Sequence, residues 1–300
     1  MALLDLINSW FGPVAGIAIG RFLPYQAAYK LADFITTWIA RDEDSELMQT
    51  LQHNQRLVQG DDVDDDDILR SARTLLRNVG RGYADWYKAL YASTDEIIER
   101  CDIDDNVFEV IEQSRQDQRG LIFVGPHMSS FNMFLLGLGA RKVDGQVLSY
   151  AQPRAGYQID NAIRRRFGLD ITPISIGSLR KAMANLRTGG FVLTAVDRPD
   201  VGGEVMTFFG RQMRLPVGHA RLAAKTGARM LVGTCQKVRE GHYHVMAESI
   251  ETREQGDGKK PGALEVAQQA LALLEMYIKE RPEEWMMFLP LMEQSGMSAD

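Results

Sequence analysis

The residues best placed to do chemistry lie in Leu121–Asn132, where an apolar run ends at Gly125-Pro126 and His127 follows at once. A helical pattern begins at Ser129. The carboxyl end of a sheet strand is where α/β proteins expose reactive groups. Histidine as a residue type is suited to take a proton from a hydroxyl. Five residues on stands Asn132. Its amide oxygen can accept from a ring N–H and fix the tautomer, but it brings no charge to stabilise an imidazolium. With Ser129 as N-cap, Asn132 falls at the third helical position, where an amide can also support the cap. Asp197 closes a second apolar run, Phe191–Val196. It can order the adjoining backbone or pair with Arg198. Arg154, Arg164, Arg165 and Arg166 offer guanidinium forks suited to phosphate oxygens. Helical spacing sets Arg164 and Arg166 on different faces, so they cannot all line one site, and Arg164 ranks first.

Other chemistries find no support. Two cysteines, Cys101 and Cys235, and five histidines form no HExxH and no Cys/His cluster, so no metal site is expected. His242 and His244 alternate on one face of an expected strand but lack a third ligand nearby. Gly137-Leu138-Gly139 is not a dinucleotide fingerprint, and neither a GxSxG elbow nor a P-loop occurs.

Elements that could position these residues follow from periodicity. Helical segments are expected over 45–58, 68–78, 83–91 and 105–118, giving a helical N-terminal region. The acidic run Asp61–Asp67 reads as the capping and first-turn charge of the helix after it. It lacks the Gly and Glu of a calcium loop. Strands are expected over 121–124, 147–151, 191–196, 230–238 and 243–248. Helices over 129–138, 158–167, 178–186, 218–226 and 262–279 alternate with them. The alternation implies an α/β fold with a mixed, largely parallel central sheet flanked by helices.

Residues 6–20 carry no charge, yet fifteen residues fall short of the roughly 20 that span a bilayer. The first ten residues lack the basic start of a secretory signal. The next segment is aromatic, with Trp10, Phe11, Phe22, Tyr25, Tyr29, Phe34 and Trp38, and Ala28, Leu31, Ala32, Ile35, Trp38 and Ile39 recur at helical spacing. Two readings fit: an amphipathic segment in a membrane interface, or a helix packed on the main domain. The expected organisation is therefore an N-terminal segment, 1–44, and one α/β domain, 45–300.

Composition is globular, with 45% hydrophobic and 25% charged residues, and few cysteines point to a reducing compartment. The net charge of −6 hides an asymmetry. Residues 141–239 hold 17 Lys/Arg and 6 Asp/Glu, a net of +11, which leaves −17 for the rest. Between Val205 and Arg239 there are seven Lys/Arg and no acid. This patterning points to an anionic ligand, a phospholipid surface or an acidic carrier, and the acidic total argues against nucleic acid.

Strand–Gly–x–His–x4–acid followed by a helix resembles the lysophospholipid acyltransferase superfamily. Within it the likeness is to the bacterial lipid A biosynthesis (lauroyl/myristoyl) acyltransferases and the related phosphatidylinositol mannoside acyltransferases. Further blocks follow in order: Asn78–Tyr83, Asn161–Gly168, Leu186–Gly190 with Asp197, Phe208-Phe209-Gly210, Pro216–Gly218, Leu222–Ala228 and Pro282-Glu283-x-Trp285. Together they span roughly 45–290. The resemblance implies a glycerolipid acyltransferase-like fold and transfer of a fatty acyl chain from acyl-CoA or acyl carrier protein to a lipid hydroxyl. His127 is then the general base, Asn132 stands where the family has its orienting acid, and Arg154, Arg164, Arg166, Asp197, Phe209 and Gly210 are substrate-site positions. No cofactor is implied beyond the acyl donor, and the implied location is the cytoplasmic face of the inner or plasma membrane, peripheral or monotopic. Two departures stand out. Asn132 makes a weakened dyad or a lipid binder without transfer the alternative. After Trp285 the chain reads Met-Met-Phe-Leu-Pro-Leu, where the family often shows basic residues.

Overall fold

The computed structural model describes residues 11–152, 155–252 and 261–292. Its central sheet contains β1 (Cys101–Ile103), β2 (Leu121–Gly125), β3 (Gln146–Ser149), β4 (Asp170–Pro173) and β5 (Phe191–Ala195). A separate antiparallel hairpin, β6 (Glu204–Phe208) and β7 (Arg211–Leu215), precedes the last two sheet strands, β8 (Arg229–Arg239) and β9 (His242–Ile250). The order across the sheet is β1-β9-β8-β2-β5-β3-β4. Every neighbouring pair is parallel except β8 with β9. That pair is joined by a tight turn at Gly241, whose φ of 68° suits glycine. The remaining connections carry helices, as parallel pairing requires. The α/β class and the mixed, largely parallel sheet are as expected.

Four helices form the N-terminal layer: α1 (Phe11–Phe22), α2 (Tyr25–Ile39), α3 (Glu46–Gln59) and α4 (Asp65–Ala89). The others are α5 (Thr94–Arg100), α6 (Asp105–Gln116), α7 (Phe131–Ala140), α8 (Ala155–Arg166), α9 (Ile176–Arg187), α10 (Gly218–Thr226) and α11 (Ala263–Glu280). The central strands β2, β5 and β8 are buried on both faces over most of their length. Ile122, Val124, Val192, Met230 and Val232 pack against α9, α10 and α11. Leu121, Phe123, Leu193 and Leu231 pack against α4, α5, α6 and α7. Near-continuous apolar runs in β2, β5 and β8 are the sequence trace of that double burial.

Several boundaries differ from expectation. The segments 68–78 and 83–91 are one helix of 25 residues, α4. Gly82, between them, is a packing residue and not a break. A Cβ there would lie 2.5 Å from the Ser129 carbonyl oxygen, so glycine lets α4 touch the His127 loop. Asp64 caps α4 by accepting from the Asp66 amide, and Asp65–Asp67 fill its first turn, as expected. Helix α7 starts at Phe131, two residues later than expected. Ser129 is not its cap: its amide donates to the Glu284 carbonyl at 2.7 Å. The short β1 and β4, helix α5 and the half-polar β6–β7 hairpin leave too little periodicity to be read in advance.

Helix α2 turns Ala28, Leu31, Ala32, Ile35 and Ile39 inward. The Tyr29 hydroxyl donates to Asp85 of α4 at 2.5 Å, and Arg81 holds both oxygens of Asp33 at 2.8 and 2.6 Å. Trp38, expected on the apolar stripe, is exposed instead, as are Phe22 and Phe34. Lys30 and Arg41 are exposed too, at helical spacing from Phe34 and Trp38. Residues 1–10 lie outside the described residues.

Four cations of the basic segment pair with acids, two of which, Asp61 and Asp117, lie outside it. Arg211 pairs with Asp61 at 3.0 Å and Lys181 with Asp170 at 2.6 Å, while Arg229 reaches Asp117 and Arg221 reaches Glu204.

Candidate active site

Strands β2 and β5 are parallel neighbours in register at Gly125 and Ala195. His127 and Asp197 each lie two residues beyond that pair, so the register delivers them side by side. His127 Nδ1 lies 2.5 Å from Asp197 Oδ1. Asp197 Oδ2 accepts two further bonds at 2.8 Å, from the His127 backbone amide and from Trp285 Nε1. Asp197 is wholly buried, and His127 keeps its ring partly exposed. Burial alone would raise the Asp197 pKa; the His127 charge and the three donated hydrogen bonds outweigh it and hold the carboxyl at about 2. An ionised Asp197 can only accept, so in the neutral form of the ring Nδ1 carries the proton and Nε2 is left with a free lone pair. That is the tautomer a general base requires.

The sequence pointed to Asn132 for this orienting role, and the geometry places it elsewhere. Asn132 Oδ1 accepts from Arg164 Nε at 3.1 Å and Nη2 at 2.7 Å. At the second position of α7 its side chain is turned toward α8, away from the ring. Asp197, expected to order the adjoining backbone or to pair with Arg198, does hold the His127 amide and also takes the ring nitrogen.

Arg164 is buried. Its Nη1 also donates to Asn161 Oδ1 at 2.7 Å, and its guanidinium lies 5.0, 5.6 and 5.8 Å from the ring centres of Tyr157, Phe131 and Trp86. Asp160 is nearby, its pKa raised by burial against the opposing pull of Arg164. The expected phosphate fork is thus held mainly by amide oxygens and aromatic faces. Arg165 and Arg166 are exposed at the end of α8, and Arg154 lies outside the described residues. Phe209 and Gly210 form the tip of the β6–β7 hairpin, and the Phe209 ring lies tilted with its centre 5.4 Å from that of Trp285, which in turn reaches His127 through Asp197.

A small apolar cavity opens beside the His127 loop, bounded by Pro126, Met128, Phe131 and Phe134. Its floor is a row of small residues. Gly125 is level with Ala195 on one side and, from the β2–β8 register, with Gly233 on the other. A Cβ on Gly233 would sit 2.6 Å from the Phe123 ring. The lining is nearly all hydrocarbon.

The C-terminal strap closes the site. Met286 donates its amide to the His127 carbonyl at 2.7 Å, and Met128 bridges to Trp285. Gln55, Asn54 and Asn78 donate to the carbonyls of Pro282, Met287 and Glu283. The roles of Trp285 and of the small-residue row were not foreseen. Their signals were a tryptophan whose N–H needs an acceptor if buried, glycine or alanine at the ends of β2 and β5, and a glycine inside β8.

Among the described residues no group of three or more metal-ligating side chains exists, and His244 faces Asp104 at 2.7 Å. No helix of the described residues is long and apolar enough to cross a membrane. No curated protein matches the chain. A family model does match, and it spans residues 2–294, from before α1 to the end of the strap. The ordered blocks, the α/β frame and a histidine at the end of β2 all fall inside that one match, and the chain belongs to the bacterial lipid A biosynthesis acyltransferase family.

Proposed function

We propose that this acyltransferase-family protein moves a fatty acyl chain from acyl-CoA or acyl carrier protein to a hydroxyl of a phospho- or glycolipid, with His127 as general base. The observation that carries the reading is the His127–Asp197 pair beside an apolar cavity. His127 Nε2 takes the acceptor hydroxyl proton, and the oxygen attacks the thioester carbonyl carbon. The tetrahedral intermediate collapses, the C–S bond breaks, and the imidazolium returns its proton to the departing thiolate. Phe131 opens α7 four residues after His127, so the positive end of that helix supports the developing oxyanion. The acyl chain enters along the apolar walls of this small cavity. Donor and acceptor are substrates, and the reaction needs no resident metal or cofactor.

Asp197 supplies the negative charge that Asn132 lacks, so a binder without transfer is the less favoured reading. The exposed Phe22, Phe34 and Trp38, with the exposed Lys30 of α2 and Arg41 just past its end, support peripheral attachment to an anionic membrane surface; the cytoplasmic side is part of the proposal. Incubation with labelled acyl-CoA and mixed lysolipids tests the activity. An acylated lipid that disappears in His127→Gln supports transfer; binding of acyl chains with no His127-dependent product supports the binder.

A further inference from the structure

We infer that Trp285 is a positioning residue for the proposed acyl transfer: its indole N–H fixes the Asp197 carboxylate so that the other oxygen meets His127 Nδ1. The inference rests on the reading of His127 as base. Trp285 is fully buried, and its Nε1 donates to Asp197 Oδ2 at 2.8 Å. The same oxygen accepts the His127 amide, while Oδ1 is left for the ring at 2.5 Å. Without the indole, Asp197 has one fixed donor, and rotation about its Cβ–Cγ bond can then take Oδ1 off the ring.

Trp285 is itself fixed from outside the sheet. It sits in a strap whose carbonyls at Pro282, Glu283 and Met287 are held by Gln55 and Asn54 of α3 and Asn78 of α4. Its ring packs against Phe208 at 6.2 Å and Phe209 at 5.4 Å. The N-terminal helical layer thus acts on the base through one indole N–H. A polar N–H in an otherwise apolar cluster is costly unless its bond is used.

The test uses ¹⁵N-histidine-labelled full-length protein, with His127→Gln to assign the ring signals. In the wild type the low-field Nδ1–H proton bonded to Asp197 persists until the carboxylate protonates in acid. Removing a hydrogen bond to the ionised carboxyl raises the pH of that loss, so Trp285→Phe should move it up by roughly one to two units. Phe208→Leu removes packing from the same indole but keeps the N–H, and should leave that pH unchanged. In turnover of a long-chain acyl-CoA with a lysophospholipid, Trp285→Phe should lower kcat by about ten- to a hundredfold with KM within twofold. An unmoved acid limit in Trp285→Phe, or an equal move in Phe208→Leu, overturns the positioning role. Full turnover in His127→Gln overturns the base reading instead, and leaves the spectroscopic result standing on its own. If Trp285→Phe does not fold, Gln55→Ala, which frees the strap at Pro282, replaces it. It should move the acid limit in the same direction, and no change overturns the role.

Discussion

Replacement of Asp197 by Asn is the most informative perturbation, because the outcome follows from counting donors. Oδ2 receives two N–H groups, from the His127 backbone and Trp285, and Oδ1 receives one, from the His127 ring. An amide offers one oxygen and one NH₂. With the NH₂ in the Oδ2 position, two buried N–H groups would face another donor, at about 1–3 kcal/mol each. With the NH₂ toward the ring, both fixed donors stay satisfied and only the ring proton moves, from Nδ1 to Nε2. The second arrangement wins by roughly 2–6 kcal/mol, and it is the tautomer that cannot act as a base. Loss of the negative charge also removes support for the imidazolium. Together these predict a fall in kcat of about 10³–10⁴, the scale seen when a base histidine is held in the wrong tautomer. The assay is single-turnover acyl transfer at neutral pH, with circular dichroism to show that the fold is kept and ¹⁵N shifts to report the ring tautomer. Turnover within tenfold of wild type, or an unchanged tautomer, would refute the reasoning.

Asn132→Asp gives the converse: an acid there pairs with Arg164 and not with the ring, so kcat/KM should stay within about threefold of wild type while the melting temperature holds or rises; a tenfold gain in rate would show that residue 132 reaches His127. Ala195→Leu fills the cavity floor beside Gly125 and should lower turnover of long acyl donors at least tenfold more than of short ones, read as the ratio of kcat/KM across chain lengths. Burial raises the Glu284 pKa to about 7, against 4.5 unfolded. Its stabilising contribution is therefore complete below pH 4.5 and lost as pH rises through 7. Glu284→Gln should match wild type near pH 4.5 and exceed it by roughly 2–3 kcal/mol at pH 8, measured by denaturant unfolding. The double change Phe34→Ser and Trp38→Ser should weaken flotation with anionic vesicles at least tenfold while leaving the circular dichroism spectrum unchanged, since both side chains are exposed.

The sequence was most legible where a pattern is local. Apolar runs in β2, β5 and β8 announce strands buried on both faces, and Ser45 and the Asp64 cluster announce helix starts, because burial and capping act over a few neighbouring residues. The α4 helix shows where this fails: Gly80 and Gly82 look like a break, but tertiary contact with Thr36 and Ser129 uses the missing Cβ atoms.

The site divides the same way. A histidine at a strand end, an asparagine in place of an acid, and an acid after a second strand were all visible as residues. What the chain order alone made legible was an α/β acyltransferase-like frame with a histidine just past the end of β2. Which side chain meets the ring was decided by sheet register, which sets Asp197 against His127 across 70 positions and leaves Asn132 to Arg164. The charge pattern was resolved at that level too, since Asp61 and Asp117 reach Arg211 and Arg229 only in the folded chain. Spacing along a helix or strand fixes neighbours within a few residues. Pairing between strands brings together groups that no local pattern relates, and the Asp197–His127–Trp285 cluster is of that kind.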